Sequence, residues 1–299
     1  MKRSDSETNL DYSGNPVYNF LASVLKSILY SSVFISVCAF GLTIETYLLA
    51  ELPVSVPMAL FVFLATLFTY NLSSIQSVVL RKQVKHDPDS WWYRHQKPMA
   101  IVGLASIVLA TIVYFYFGLR LNIWFVLHLA IISIGYTIPV MIGNKQVKPL
   151  RRVPLLKVFL IAYVWAMVTG LFPLMDAGVY VLDSQAMELF LRRFLFILAL
   201  ALLFDIRDYT YDRHTNTLTV PGLIGVNYTK LLSLCLLLIY SFIVIVTETG
   251  STEMALLIAA VVAAIVVWFS SELKPRVYFL LLADGAMLLH AALVYFIKV

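Results

Sequence analysis

The sequence predicts an all-α, polytopic membrane protein, and three observations carry that prediction. Hydrophobic residues fill 61% of the 299 positions and charged residues only 13%, with a mean hydropathy of +0.87. Soluble domains run at about 45–50% apolar and about 25% charged, and a water-soluble fold of this length has too little interior to hide the difference. The apolar residues also gather into nine runs close to the roughly 20 residues a helix needs to cross hydrocarbon. A soluble enzyme or a disordered chain does not fit this pattern. Neither does a disulfide-stapled secreted domain, because the two cysteines, Cys38 and Cys235, both lie inside apolar runs and read as small core residues.

Residues 1–20 form a polar N-terminal segment carrying Asp5, Glu7 and Asp11. Its acids and its length fit neither a secretory signal nor a transit peptide, so the first apolar run is expected to be a retained helix. The expected spans are 21–49, 54–80, 99–118, 121–142, 155–175, 187–204, 228–247, 254–271 and 277–297, making 21–299 one nine-helix domain. Pro53, Pro98, Pro149, Pro154, Pro221 and Pro275 stand at or beside the gaps, where a missing N–H does least harm.

Nine crossings put the termini on opposite sides, so charge bias becomes a test. With the N-terminus in the cytoplasm, all but four of the 22 Lys and Arg fall on the inner side, the exceptions being Arg120, Arg192, Arg193 and Lys298. That is the positive-inside pattern. The basic balance, +5 with a pI near 9.1, therefore reads as topology, and no nucleic-acid partner is expected. The expectation is an integral multi-pass protein of a bacterial cytoplasmic membrane, N-terminus inside and C-terminus opposite. Three long inner connections, 81–98, 143–154 and 205–227, place the working face on the cytoplasmic side.

The sixth span ends in Phe204-Asp205-Ile206-Arg207-Asp208-Tyr209-Thr210-Tyr211-Asp212-Arg213. On a helix, Asp208 and Asp212 share one face and repel, with Asp205 at its border. Near hydrocarbon the cost of such acids rises. A Mg²⁺ ion bridging carboxylates to phosphate oxygens would resolve the conflict; pairing with Arg207 and Arg213 would do so without a ligand. A turn follows at Asn216, whose residue type tolerates a left-handed backbone, and then Thr219, Pro221 and Gly225.

Taken together, Asp205 to Gly225 resembles the second aspartate signature of the UbiA superfamily of intramembrane prenyltransferases: an Asp-x-x-x-Asp pair, a turn, and a Thr-x-Pro-x-x-x-Gly tail. Asn216 stands where the family usually has Gly. The stretch Tyr136 to Lys157 looks like the family's basic loop between spans four and five. The family's first signature, Asn-x-x-x-Asp with a further Asp one turn on, is only half present at Tyr70-Asn71-Leu72-Ser73-Ser74-Ile75-Gln76. Asn71 matches, Ile75 replaces the aspartate, and the next acids are Asp87 and Asp89.

The resemblance implies nine helices around a central cavity open to the cytoplasmic side. It implies Mg²⁺-dependent transfer of a prenyl chain from an allylic diphosphate to an aromatic or lipid-like acceptor within the bilayer. Catalytic roles would fall to Asp208, Asp212 and Asn71, and metal ligation to Asp205, Asp208 and Asp212. Lys145, Lys148, Arg151, Arg152, Lys157 and Arg94 would hold the diphosphate, Arg being suited to bidentate phosphate contacts. Tyr70, Tyr136, Tyr209, Tyr211 and Asp284 would line the prenyl and acceptor pocket. Two other readings stay open: a UbiA-like binder of isoprenoid or other lipid without transfer activity, for which Ile75 speaks, and a transporter, for which the intramembrane Asp284 speaks. Asp284 is expected to pair with His290 or Arg276, or to line the cavity. His128 is expected in the core, Glu45 at the interface, and Arg192 and Arg193 snorkelling to the outer headgroups.

Overall fold

The computed structural model describes residues 16–82, 94–137, 141–142, 145–146, 156–214 and 217–299. Asp87, Asp89, Lys148, Arg151, Arg152 and Asn216 lie outside them, and for Ile75, Gln76, Tyr136 and Lys145 only the backbone is described.

The described residues begin with α1 (Pro16–Tyr30) and α2 (Val33–Leu49), joined at Ser32, whose φ of 67° is left-handed. The two helices are bent by 62° across that break, so the run expected as one straight span is a broken one. Helices α3 (Val56–Lys82), α4 (Gln96–Tyr116) and α5 (Ile123–Thr137) follow. A two-residue antiparallel ladder, Met141–Ile142 against Lys145–Gln146, follows and is the one pair of strands among the described residues. Helix α6 (Leu156–Ala166) runs through a π-helical turn, Met167–Leu171, into α7 (Phe172–Asp176). The 31-residue α8 (Ser184–His214) is followed by the short α9 (Val220–Ile224). Gly225, at φ 86°, turns the chain into α10 (Val226–Thr247), after which comes α11 (Gly250–Trp268). The last segment is α12 (Arg276–Tyr278), a second π-helical turn at Phe279–Ala283, and α13 (Asp284–Lys298).

Six of these segments are long and apolar enough to cross a membrane: Val56–Ser74, Gln96–Tyr116, Leu156–Asp176, Val226–Thr247, Gly250–Trp268 and Arg276–Lys298. The bent α1–α2 pair adds a seventh if counted as one span. The fourth expected span holds only a shorter apolar helix, Ile123–Ser133. The sixth lies within α8, where Arg192–Arg193 and Asp205–Asp208 bracket the apolar stretch.

Packing proceeds around a ring. Helix α2 lies between α3 and α13, α3 packs on α4 and touches α5, and α5 touches α6. From there α6 packs on α8, α8 on α10, α10 on α11, and α11 returns to α13. Leu195 to Leu203 of α8 are all buried, making it the most enclosed helix stretch. By contrast α4 leaves Ile101, Leu104, Val108, Ile112 and Phe115 bare, a stripe at helical spacing, and α10 does the same with Leu231, Leu238, Phe242 and Ile245. Bare apolar stripes of that extent need lipid, not water, against them, and the chain is accordingly an integral multi-pass membrane protein.

Helix α2 donates hydrogen bonds to carbonyls at both π-helical turns. A π turn shifts the hydrogen-bond ladder and frees carbonyls. The Thr46 hydroxyl donates to Thr169 O at 2.7 Å in the first turn, and the Cys38 thiol donates to Asp284 O at 3.3 Å just after the second. Close approach is set at Gly41, where an added Cβ would meet Ala291 Cβ of α13 at 3.3 Å.

Candidate functional site

The acidic run forms the C-terminal turns of α8, and α6 and the last segment bring bases against it. Lys157 Nζ stands 2.7 Å from Asp205 Oδ1 and 3.9 Å from Asp208 Oδ2. Arg207 grips Asp208 with two parallel bonds, Nε to Oδ1 at 2.9 Å and Nη2 to Oδ2 at 2.8 Å, while its guanidinium sits 5.0 Å over the Phe204 ring. Asp205 is 1% exposed and Asp212 7% exposed, so both are withdrawn from bulk solvent.

Two opposite electrostatic outcomes follow along one helix face. Burial alone would raise the Asp208 carboxyl, but Arg207, with Lys157 and Arg276 behind it, outweighs burial and holds Asp208 below the usual carboxylate range. Burial, with Asp208 and Asp205 adding to it and Lys157 opposing, pushes Asp212 up to about 6. Asp284, on the last segment, is 5% exposed, and its electrostatic neighbour is Arg207. It therefore belongs to this group and not to His290, which pairs elsewhere.

Beyond α8 the described chain resumes at Thr217. Thr217 N donates to Asp212 O at 2.9 Å, Thr219 precedes α9, and Pro221 takes a first-turn position in it. Thr219 is 3% exposed, and its hydroxyl makes no hydrogen bond among the described residues. On α3, Asn71 is 1% exposed, and among the described residues neither its amide oxygen nor its amide nitrogen has a partner. Buried polar groups are rarely left so. Both are residues that the resemblance singles out.

Other expected residues are placed less centrally. Tyr70 accepts a 3.1 Å hydrogen bond from Trp165 Nε1 and meets that ring edge-on. Tyr209 is half-buried, whereas Tyr211 and Arg94 are exposed. Among the described residues no three His, Cys, Asp or Glu side chains stand together as a ready-made ion cage. A cavity of about 410 Å³ opens between the α9–α10 junction and the loop after α11, lined by Asn227, Tyr228, Lys230 and Glu272 among others. It does not include Asp208, Asp212 or Asn71.

Three expectations are corrected. His128 is exposed, edge-on to Tyr163 at 5.9 Å, and is not a core residue. Glu45 is fully buried instead of interfacial, and Arg192 and Arg193 are 3% and 5% exposed instead of snorkelling. The three are held by ion pairs at the other end of α8. Sequence reading missed this because it weighed each charge alone. Acids and bases at matching depths in spans one and six were the available signal.

The architecture is similar to the apo structure of a UbiA homolog from Aeropyrum pernix K1, with a TM-score of 0.61 at 13% identity over 89% of this chain and 99% of that one. The fold is that of UbiA homologues. A second likeness, to the structure of a UbiA homolog from Archaeoglobus fulgidus, has a TM-score of 0.50 at 11% identity over 93% of this chain and 98% of that one. No protein-family model and no curated protein matches the chain. Within this fold the α8 acids stand against Lys157 in the first turn of α6.

Proposed function

We propose that this chain is a UbiA-superfamily prenyltransferase. The supporting observation is the carboxylate ladder Asp205–Asp208–Asp212 facing Lys157, Arg207 and Arg276 at one end of the most enclosed helix of a UbiA fold.

The donor chemistry, carboxylate oxygens, is the type that Mg²⁺ takes. Its ligands are oxygens, and with Asp284 four carboxylates stand against three bases among the described residues. Mg²⁺ is usually bound by one or two carboxylates and completed by substrate phosphates, so a closed protein cage is not required. Asp208 and Asp212, with Asp205, would hold the ion, which when bound would offset the charge of a diphosphate. Lys157 and Arg207 would turn from their carboxylates to the phosphate oxygens, with Lys145, Lys148, Arg151, Arg152 and Arg94 as further bases. Charge aimed in advance at the departing diphosphate lowers the barrier to breaking the allylic C–O bond. The leaving group would take the electron pair, the prenyl carbon would bond to an aromatic or lipid-like acceptor, and the acceptor's displaced proton would pass to the released diphosphate. Tyr70, Tyr136, Tyr209, Tyr211 and Asp284 would line the pocket that keeps water from the allylic cation.

One observation favours a second reading, an isoprenoid-binding protein without transfer activity. Asp208 is already spent on a bidentate bond to Arg207, and Ile75 replaces an expected acid. The deciding experiment measures diphosphate release by the full chain in nanodiscs from geranyl, farnesyl and longer allylic donors, with and without Mg²⁺. Mg²⁺-dependent release with a prenylated product is expected. No release from any donor, with prenyl lipid still bound, would replace the first reading by the second.

A further inference from the structure

The end of α8 away from the aspartates carries a polar network that the prenyl-transfer reading leaves unused. Arg193 Nη2 stands 3.1 Å from Glu45 Oε1 and also reaches the Thr46 hydroxyl at 3.3 Å. Glu45 Oε2 meets His290 Nδ1 at 2.9 Å, and His290 Nε2 meets the Tyr240 hydroxyl at 2.7 Å. One turn-edge away, Arg192 Nη1 donates to Glu248 Oε1 at 2.7 Å and Thr247 Oγ1 at 3.2 Å, with Glu188 Oε1 at 3.3 Å. Two ion-pair groups thus lie side by side, one on α2, α8, α10 and α13, the other on α8 and the end of α10.

Between them is a small cavity, about 10 Å³ in volume, bordered by Arg192, Arg193, Glu45, Tyr240 and His290 and closed on its apolar side by leucines. Arg192 is 3% exposed, and its second terminal nitrogen, Nη2, is buried without a hydrogen-bond partner although Nη1 has three oxygens around it. A buried charged donor left without an acceptor is costly. A cavity of about one water-sized sphere with two to four polar neighbours is the kind that holds an ordered water.

We propose that this cavity binds one ordered water molecule, which accepts a hydrogen bond from Arg192 Nη2 and donates to Glu45. Each Glu45 oxygen already accepts one bond and retains a second lone pair for it. The water joins the Arg192–Glu248 group to the Arg193–Glu45–His290–Tyr240 group, so one polar network ties α2, α8, α10 and α13 at that end of the bundle.

X-ray hydroxyl-radical footprinting of the full chain in nanodiscs in ¹⁸O-water tests this, since radicals form on bound water and mark its neighbours. Leu256, which borders the cavity and is 1% exposed, is expected to be oxidised several-fold more than Leu202 and Leu203, which lie away from it at 2% and 0%. Equal labelling of the two sets would overturn the proposal. In Arg192→Met the excess labelling should vanish. If it persists in a folded variant, the water is not held by Arg192 and the assignment fails. Should that variant not fold, the wild-type comparison still decides.

Discussion

At the scale of single residues, the two ends of α8 obey the same rule with opposite margins. Around Glu45 each charge has a partner at hydrogen-bond distance, and removing one partner strands the other in a low-dielectric interior. Glu45→Leu is therefore expected to destabilise the bundle by about 3–5 kcal/mol, the range for breaking a buried pair. Chemical unfolding in detergent checks this, and a loss under about 1 kcal/mol would mean that the pair is solvated. Around Asp212 the carboxylates outnumber the bases, an arrangement better suited to receiving a ligand than to holding the fold. Asp212→Asn keeps the shape and removes the charge. Prenyl transfer should fall by at least about a hundredfold, equivalent to about 2.7 kcal/mol of transition-state stabilisation, with little change in Tm. Turnover within about threefold of wild type would remove Asp212 from the reaction. The acids of this site were legible because their spacing is local and carried by a motif. The Glu45 network was not, because it joins residues 45, 193, 240 and 290 through space, and no local pattern records that pairing.

At the scale of elements, the sequence pattern predicts where helices occur better than how they bend. Apolar length located α3, α4, α6, α10, α11 and α13, since a membrane span must be apolar throughout. It could not show the 62° break at Ser32, where no proline or glycine interrupts the run. Nor could it show the π turns at Met167–Leu171 and Phe279–Ala283, which depend on acceptors that α2 satisfies from across the bundle. Helix α2 is thus fixed by polar staples as well as by its close approach to α13. Gly41→Val is expected to cost about 1–3 kcal/mol, because the Ala291 methyl it would meet at 3.3 Å belongs to a helix backbone with no rotamer to yield. Thermal unfolding against Gly103→Ala, whose added Cβ meets only the Asn71 Cβ at 3.5 Å, gives the comparison. Equal losses would mean that α2 and α13 are free to separate.

At the scale of the whole molecule, the membrane class followed from composition alone, and the UbiA fold was legible through one motif covering Asp205 to Gly225. The encircling order of helices was not, because apolar faces of similar character give no unique pairing code. The orientation remains a prediction from charge bias: N-terminus inside, C-terminus opposite. A C-terminal phosphatase fusion that is active only on the outer side should be active, and a fluorescent or phosphatase reporter giving the reverse pattern would invert the assignment.

Helix α8 also has a mechanical consequence. From Arg192 to Asp208 it is an unbroken rod of about 24 Å at 1.5 Å per residue, gripped on every side through its middle. A body held in that way acts as a fixed spacer: with Arg192 and Arg193 anchored at one tip, the carboxylates at the other are kept at a set depth and cannot slide along the bundle.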